Sequence, residues 1–141
     1  MATVFRYGNP AVEFAGAQVR SQCRQLATVV AVAGEITEKN VDQLIRHVTR
    51  SIINEKPYVL DLSAVTSFAP IAMSLLTAVD EACRRTGDEW MLIAGEPVAD
   101  TLHSSSTVLY PIADSVPDAL QCFSDVITER RRLLPVLAKS A

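Results

Sequence analysis

The residue types most often used in catalysis come closest together in one stretch beyond the middle of the chain. His103 is followed by a run of three serines, residues 104–106, and Asp100 lies just before it. A Ser-His-Asp triad depends on three-dimensional geometry that neighbours in a serine-rich run rarely achieve. The G-x-S-x-G turn that presents a nucleophilic serine is also missing from the sequence. We therefore interpret this stretch as a polar loop without a catalytic role.

The remaining chemistry-bearing residues do not form the pattern of an enzyme. The sequence has no glycine-rich phosphate loop, no cluster with metal-ligand spacing and no paired carboxylates at helical spacing facing one pocket. Cys23, Cys83 and Cys122 are widely spaced and lack a CxxC pair, which favours packed, reduced thiols over a disulfide framework or a zinc site. We predict that the protein is not an enzyme and has no catalytic residues, metal or cofactor.

Length, composition and charge indicate one self-sufficient domain. The chain has 141 residues, of which 49% are hydrophobic and 21% charged, an ordinary globular balance. The net charge of −3 gives no electrostatic reason to expect a nucleic acid or an anionic membrane as partner. No apolar run is long enough to span a bilayer, and the N-terminus lacks the layout of a signal peptide. We expect a cytoplasmic protein without membrane insertion.

The stretch 58–85 predicts a buried strand followed by an amphipathic helix. Its first residues, 58–61, have the β-forming character of a buried strand, and residues 62–69 are predicted to be a link. Pro70 suits a first helical position, and Gly87 follows a basic last turn, as is typical of a helix end. The predicted inner face of this helix consists of Ala72, Leu75, Leu76, Val79 and Cys83.

The pattern along the whole chain predicts an α/β fold. Apolar strands alternate with amphipathic helices, which indicates a mixed, mostly parallel sheet with an N-terminal hairpin and four α-helices. Asn40 is predicted to cap the first helix, and Pro135 is predicted to end the last one. The predicted strands are 3–7, 17–25, 28–33, 58–61, 90–94 and 108–110, and the predicted helices begin near residues 40, 70, 97 and 115.

Two motifs in this pattern resemble the STAS domain of anti-sigma factor antagonists. The segment DLSAVTSFAPIAMSLL, starting at Asp61, resembles the family's strand end, turn and leucine-rich helix. The segment VAVAGEIT, starting at Val30, is similar to the family's strand that ends in Gly-Glu-Leu-Asp. The resemblance covers roughly residues 28–119 and implies a STAS fold. We expect an N-terminal extension over residues 1–16, a STAS domain over 17–134 and a C-terminal tail over 135–141.

The sequence departs from the family at its phosphorylation motif. Where the family has Asp-Ser-Ser-Gly, this chain has Ala69-Pro70-Ile71-Ala72, so the hydroxyl that partner kinases phosphorylate is absent. A phosphate at that place would bring roughly two negative charges to a helix N-terminus. Ser67 is the nearest substitute for the missing serine, whereas Ser74 is expected to point along the helix. We interpret the motif as degenerate, with its usual switch lost.

The resemblance implies a protein-binding module that regulates transcription by capturing an anti-sigma factor with a histidine-kinase-like ATP-binding fold. The alternative is a non-switching STAS subunit of a larger signalling scaffold or lipid-transport complex, bound to another protein subunit. A homodimer is a further option. The predicted contact is centred on the turn equivalent to the switch and flanked by the loop after the preceding strand, because both follow the carboxyl ends of parallel strands. The turn comprises Thr66, Ser67, Phe68, Ala69, Pro70, Ile71, Ala72 and Met73, and the flanking loop contributes Gly34, Glu35, Ile36, Thr37 and Asn40.

Overall fold

A six-stranded β-sheet, with its strands in chain order, forms the centre of the fold. The computed structural model describes residues 11–53, 56–105 and 110–140, without the side chains of residues 105 and 130–140. The first three strands pair antiparallel and the last four pair parallel, which confirms the mixed sheet with an N-terminal hairpin. The strands are β1 (Val12–Phe14), β2 (Ala17–Cys23), β3 (Thr28–Ile36), β4 (Tyr58–Phe68), β5 (Trp90–Ala94) and β6 (Ile112–Ala113).

Helices cover both faces of the sheet. Neighbouring residues such as Val29 and Val30 belong to two separate cores, because successive side chains of a strand point to opposite faces. Strands covered on both faces need apolar residues in an unbroken run, and this explains the predicted run at Tyr58. Helices α1 (Val41–Arg50), α2 (Met73–Thr86) and α3 (Glu96–Ser105) pack on one face, and α4 (Val116–Ser140) packs on the other.

The predicted strand–helix unit is confirmed around α2. All five residues of the predicted inner face are buried, and Leu75, Leu76 and Val79 are fully enclosed. Pro70 opens a single 3-10 turn, Pro70–Ala72, which leads directly into α2. Gly87 ends α2 with a left-handed backbone, φ +77°, a conformation that glycine adopts without a steric penalty.

β4 is longer than predicted and extends through the proposed link to Phe68. Its pairing with β3 shifts twice, so that β4 carries one extra residue between Asp61 and Ala64 and another between Val65 and Ser67. Such bulges break the two-residue alternation that identifies a strand in a sequence. The polar second half of β4 was therefore wrongly predicted to be a loop.

Two further predictions, those at β6 and at the end of α4, differ from the structure. β1 lies within the stretch predicted to be an extension, whereas the strand predicted at 3–7 falls outside the described residues. β6 is formed by Ile112–Ala113, and Tyr110, predicted to end a strand, is not in one. α4 continues through Pro135: an internal proline removes one hydrogen bond of the helix, but the leucines on both sides of it favour helix.

The described thiols are only partly packed. Cys83 is buried in the core between α2 and the sheet, as predicted. Cys23 and Cys122 are exposed, which corrects the prediction that all three thiols are packed. All three are free cysteines.

Candidate partner-binding surface

The two segments predicted to form the contact lie side by side at the carboxyl ends of β3 and β4. Glu35 pairs with Ser67 and Ile36 with Phe68 across the parallel ladder. Beyond the ladder, the Ala69 amide donates a hydrogen bond of 3.0 Å to the carbonyl of Ile36. The predicted adjacency of residues 34–40 and 66–73 is therefore confirmed, while their role in binding a partner stays a prediction.

A groove of about 460 Å³ runs between these segments, and we call it the switch groove. Ala69, Pro70 and Ile71 form its apolar side, and Ile71 is 53% exposed. Glu35, Glu38 and Lys39 are exposed at the opposite rim. Thr37 and Ala15 complete the lining. The combination of an exposed aliphatic side chain with charged rim residues is typical of a surface that another protein covers.

Asn40 holds this region together from inside. Asn40 occupies the N-cap position of α1, as predicted, but its fully buried side chain makes no capping hydrogen bond to that helix. The Asn40 Oδ1 accepts a hydrogen bond of 3.0 Å from the Thr37 amide. The Asn40 Nδ2 donates to the carbonyls of Phe14 at 2.9 Å, Glu35 at 2.8 Å and Ala15 at 3.3 Å. The amide side chain thus links the β1–β2 turn to the loop before α1.

Two glycines allow the β1–β2 turn to approach the end of β3. Ala15 and Gly16 both have positive φ, +44° and +105°, as a two-residue hairpin turn requires. Gly34 has φ +94°, and a Cβ there would lie 2.3 Å from the Gly16 carbonyl oxygen, a contact no side chain can make. Only glycine fits at residue 34. Ala15 was not predicted to line the groove, although the Ala-Gly pair between two short apolar segments indicates a turn there.

Several predicted contact residues lie beneath the surface instead of on it. Ile36, Phe68 and Ala72 are buried in the core that α1 and α2 share with the sheet. They position the backbone of the groove, as Asn40 and Gly34 do. The side chains available to a partner from the predicted set are those of Glu35, Thr37, Thr66, Ser67, Ala69, Pro70, Ile71 and Met73.

The hydroxyl groups near the groove have different surroundings. Ser67 and Thr66 are exposed at the end of β4, so Ser67 lies in a strand and not in the predicted turn. The Ser74 Oγ donates a hydrogen bond of 2.7 Å to the Ile71 carbonyl and so points back along the helix, as expected. Residues 69–72 offer no hydroxyl at all.

The other residues with catalytic potential are not assembled into a site. His103 and Ser104 lie on α3 and not in the predicted polar loop, and the Ser104 Oγ donates to the Thr101 carbonyl of the same helix at 3.2 Å. No group of three or more His, Cys, Asp or Glu within the described ranges could hold a metal ion. None of the helices in those ranges is long and apolar enough to cross a membrane.

The chain belongs to the STAS domain family, whose model matches residues 18–119. It is 41% identical over 142 residues to osmosensory protein A of Mycobacterium tuberculosis, with 96% of this chain and 90% of that protein covered. The family match agrees with the resemblance drawn from the strand and turn motifs.

Solved structures share this fold. An anti-sigma factor antagonist from Mycobacterium paratuberculosis has a TM-score of 0.68 at 21% identity, covering 77% of this chain and 94% of that one. A variant of RsbS from Moorella thermoacetica has a TM-score of 0.65 at 19% identity, covering 78% of this chain and 97% of that one. The predicted STAS architecture, with its mixed sheet and four helices, is confirmed.

Proposed function

We propose that this protein is an anti-sigma factor antagonist that captures its partner constitutively in the cytoplasm, through the switch groove and without a phosphorylation switch. The partner would be an anti-sigma factor with a histidine-kinase-like ATP-binding fold. Membership of the STAS family and the shared fold with anti-sigma factor antagonists support a protein-binding module over an enzyme. The name of the relative from Mycobacterium tuberculosis further suggests a role in the response to osmotic stress.

The observation that carries this proposal is the exposure of Ile71 beside Pro70 at the edge of the groove. In the family motif this turn carries a serine and an acid, and phosphorylation there would add charge. An aliphatic side chain half exposed to water favours burial against another protein, since removing its apolar surface from water is worth about 25 cal/mol per Å². A turn that no kinase can charge would stay competent for binding at all times.

The lost switch also favours one alternative. A STAS subunit that serves as a fixed part of a signalling scaffold or a lipid-transport complex has no need of a phosphorylatable hydroxyl. Such a subunit would bind another protein subunit, or a second copy of itself, through the same apolar turn. It would not bind an anti-sigma factor with an ATP-binding fold, and this difference separates the two proposals.

The test is a binding titration against purified histidine-kinase-like anti-sigma candidates encoded in the same genome. Ile71→Glu and Ala69→Asp should each weaken binding by roughly a hundredfold or more, because a charge buried without a partner is strongly unfavourable. Ile112→Glu is the matched control, since Ile112 is 51% exposed but lies on β6, away from the groove. Thermal melts of all three variants should stay close to that of the parent protein.

If both groove variants bind a candidate with the affinity of the parent protein, the interface lies elsewhere on the protein. If no candidate binds saturably, and the protein instead forms a stable self-association that Ile71→Glu abolishes, the scaffold alternative is favoured.

A further inference from the structure

A second groove, of about 540 Å³, lies between the C-terminal ends of α1 and α2 and carries three arginines. Arg46 and Arg50 come from α1 and Arg85 comes from α2, and all three are exposed. We call it the arginine groove. α2 has 14 residues, so it separates this groove from the switch groove by about 20 Å.

None of these arginines has an anionic partner within the part of the chain that the structure describes. Asp42 lies one turn before Arg46 and Glu81 one turn before Arg85, but neither pair forms an ion pair. The neighbouring Arg84 differs, because its guanidinium lies 2.6 Å from the Asp80 carboxylate. Among the described residues, the charges of the arginine groove are thus not neutralised by an ion pair, on a chain whose net charge is −3.

The stability of the helices does not account for this arrangement. A cation in the last turn of a helix offsets the negative end of its dipole, which explains Arg50 and Arg85 individually. Arg46 lies a turn earlier and faces Arg50 at the i,i+4 spacing, where like charges destabilise a helix. Three guanidinium groups around one cavity repel one another unless an anion lies between them.

The rest of the lining suits a small ligand that carries a phosphate. Thr49 and Thr86 contribute hydroxyl groups; the Thr49 hydroxyl donates to a backbone carbonyl of its own helix, and the Thr86 hydroxyl donates to the Asp88 carboxylate. A hydroxyl oxygen that donates can still accept, and the planar guanidinium groups offer pairs of donors that match phosphate geometry. Ile52 and Ala82 add an apolar wall for a carbon skeleton. The volume falls within the range of small-molecule sites, roughly 300–1,000 Å³.

We propose that the arginine groove binds a small phosphorylated ligand, with Arg46, Arg50 and Arg85 holding its phosphate groups. An acidic protein segment would meet the same charges. The open groove is short, with seven lining residues at the ends of two helices, and so fits a small molecule better than an extended chain, which would have to follow a longer surface. The Asp88 carboxylate accepts a hydrogen bond from Thr86 and limits the positive region on that side.

Isothermal titration calorimetry at constant ionic strength tests this proposal with two probes, inorganic pyrophosphate and ribose 5-phosphate. We expect saturable binding of one ligand per chain. Arg85→Gln and Arg46→Gln should each weaken it by on the order of tenfold or more, the effect of losing a hydrogen bond to a charged group. Arg85→Lys, which keeps the charge but loses the planar fork, should have an intermediate effect.

Arg84→Gln is the matched control because it removes the same charge from the adjacent residue, outside the groove, and should leave the affinity unchanged. An equal loss in Arg84→Gln and Arg85→Gln would overturn the proposal, since it would show attraction by net charge alone. Binding of hexaglutamate without binding of either phosphate probe would overturn it in favour of an acidic protein partner. Absence of saturable binding to both phosphate probes would overturn it as well.

Discussion

Cys83 and Tyr58 are ionisable side chains that the fold encloses in its core. Burial raises the pKa of Cys83 to about 12, and the nearby carboxylates of Asp88 and Asp80 act in the same direction. Burial likewise raises the pKa of Tyr58 above its usual range, against a smaller opposite effect of its hydrogen bond to Ser51. The Tyr58 hydroxyl donates to the Val48 carbonyl at 3.1 Å and so joins β4 to the end of α1.

These two groups predict that the protein loses stability at alkaline pH. The unfolded chain releases the Cys83 proton near pH 9, whereas the folded chain retains it to about pH 12. The folded state therefore binds more protons in this window, and the free energy of unfolding falls as pH rises through it. Urea unfolding between pH 8 and 11 should show this decline. Cys83→Ala and Tyr58→Phe should each make it shallower.

The quantity to compare is the change in the free energy of unfolding with pH, since both substitutions also alter the absolute stability. Cys122→Ala, which removes an exposed thiol, is the matched control and should decline as the parent protein does. An identical slope in Cys83→Ala, Tyr58→Phe and the parent protein would contradict the prediction.

At the scale of elements, the sequence predicted what is periodic and missed what depends on distant contacts. The inner face of α2 follows the helical repeat, so burial of Leu75, Leu76 and Val79 could be predicted from spacing alone. The second half of β4 could not, because its two bulges disrupt the alternation and place polar residues outward. β1 is three residues long and occupies an edge, too short for a periodic signal.

The candidate partner-binding surface could likewise be predicted only in part from the sequence. The topology of parallel strands was sufficient to bring residues 34–40 and 66–73 together. The third wall, at Ala15, depends on contacts that local sequence does not reveal. They are the hydrogen bonds of Asn40 to the β1–β2 turn and the close approach of Gly34 to Gly16.

The Asn40 side chain joins three elements, so we expect its substitution to lower the stability of the protein. Asn40→Ala should destabilise the protein by at least roughly 1–3 kcal/mol, the cost of leaving a buried polar group unsatisfied. Asn40→Asp should cost more, since a carboxylate would place an acceptor against the carbonyls of Phe14 and Glu35. Urea melts at neutral pH measure both changes.

Lys39→Ala serves as the control in the same loop, because the Lys39 side chain is exposed and the hydrogen bond to the Thr37 hydroxyl comes from its backbone amide, which the substitution keeps. It should unfold within about 0.5 kcal/mol of the parent protein. A cost below that same limit for Asn40→Ala would show that the β1–β2 turn is held by other contacts.

Helix α2 connects two surfaces of different chemistry. The 3-10 turn that leads into it presents Pro70 and Ile71, and its last turn presents Arg85. The first surface suits an apolar contact with a protein and the second suits an anion. Because the side chains at both ends are exposed, substitutions at one surface should leave the fold of the protein and the other surface unchanged.

The final prediction concerns phosphorylation of the switch groove. A kinase-type anti-sigma factor supplied with ATP should leave residues 69–72 unmodified, because Ala69, Pro70 and Ile71 carry no hydroxyl. Ser67 should also stay unmodified. Its backbone is held in the β3–β4 ladder opposite Glu35, and a phosphate there would lie close to that carboxylate. Phosphopeptide mapping after incubation with the kinase measures both outcomes.

The double variant Pro70→Ser, Ile71→Ser is the positive control, because it returns hydroxyls to both places where the family motif has a serine. If the groove is the kinase-binding surface, this variant should gain phosphate at residue 70 or 71 under conditions that leave the parent protein unmodified. The added charge would then lie at the start of α2 and should release the partner, an effect that the binding titration can follow. Stoichiometric phosphate on Ser67 of the parent protein, lost in Ser67→Ala, would instead show that the switch has moved onto the end of β4 and has not disappeared.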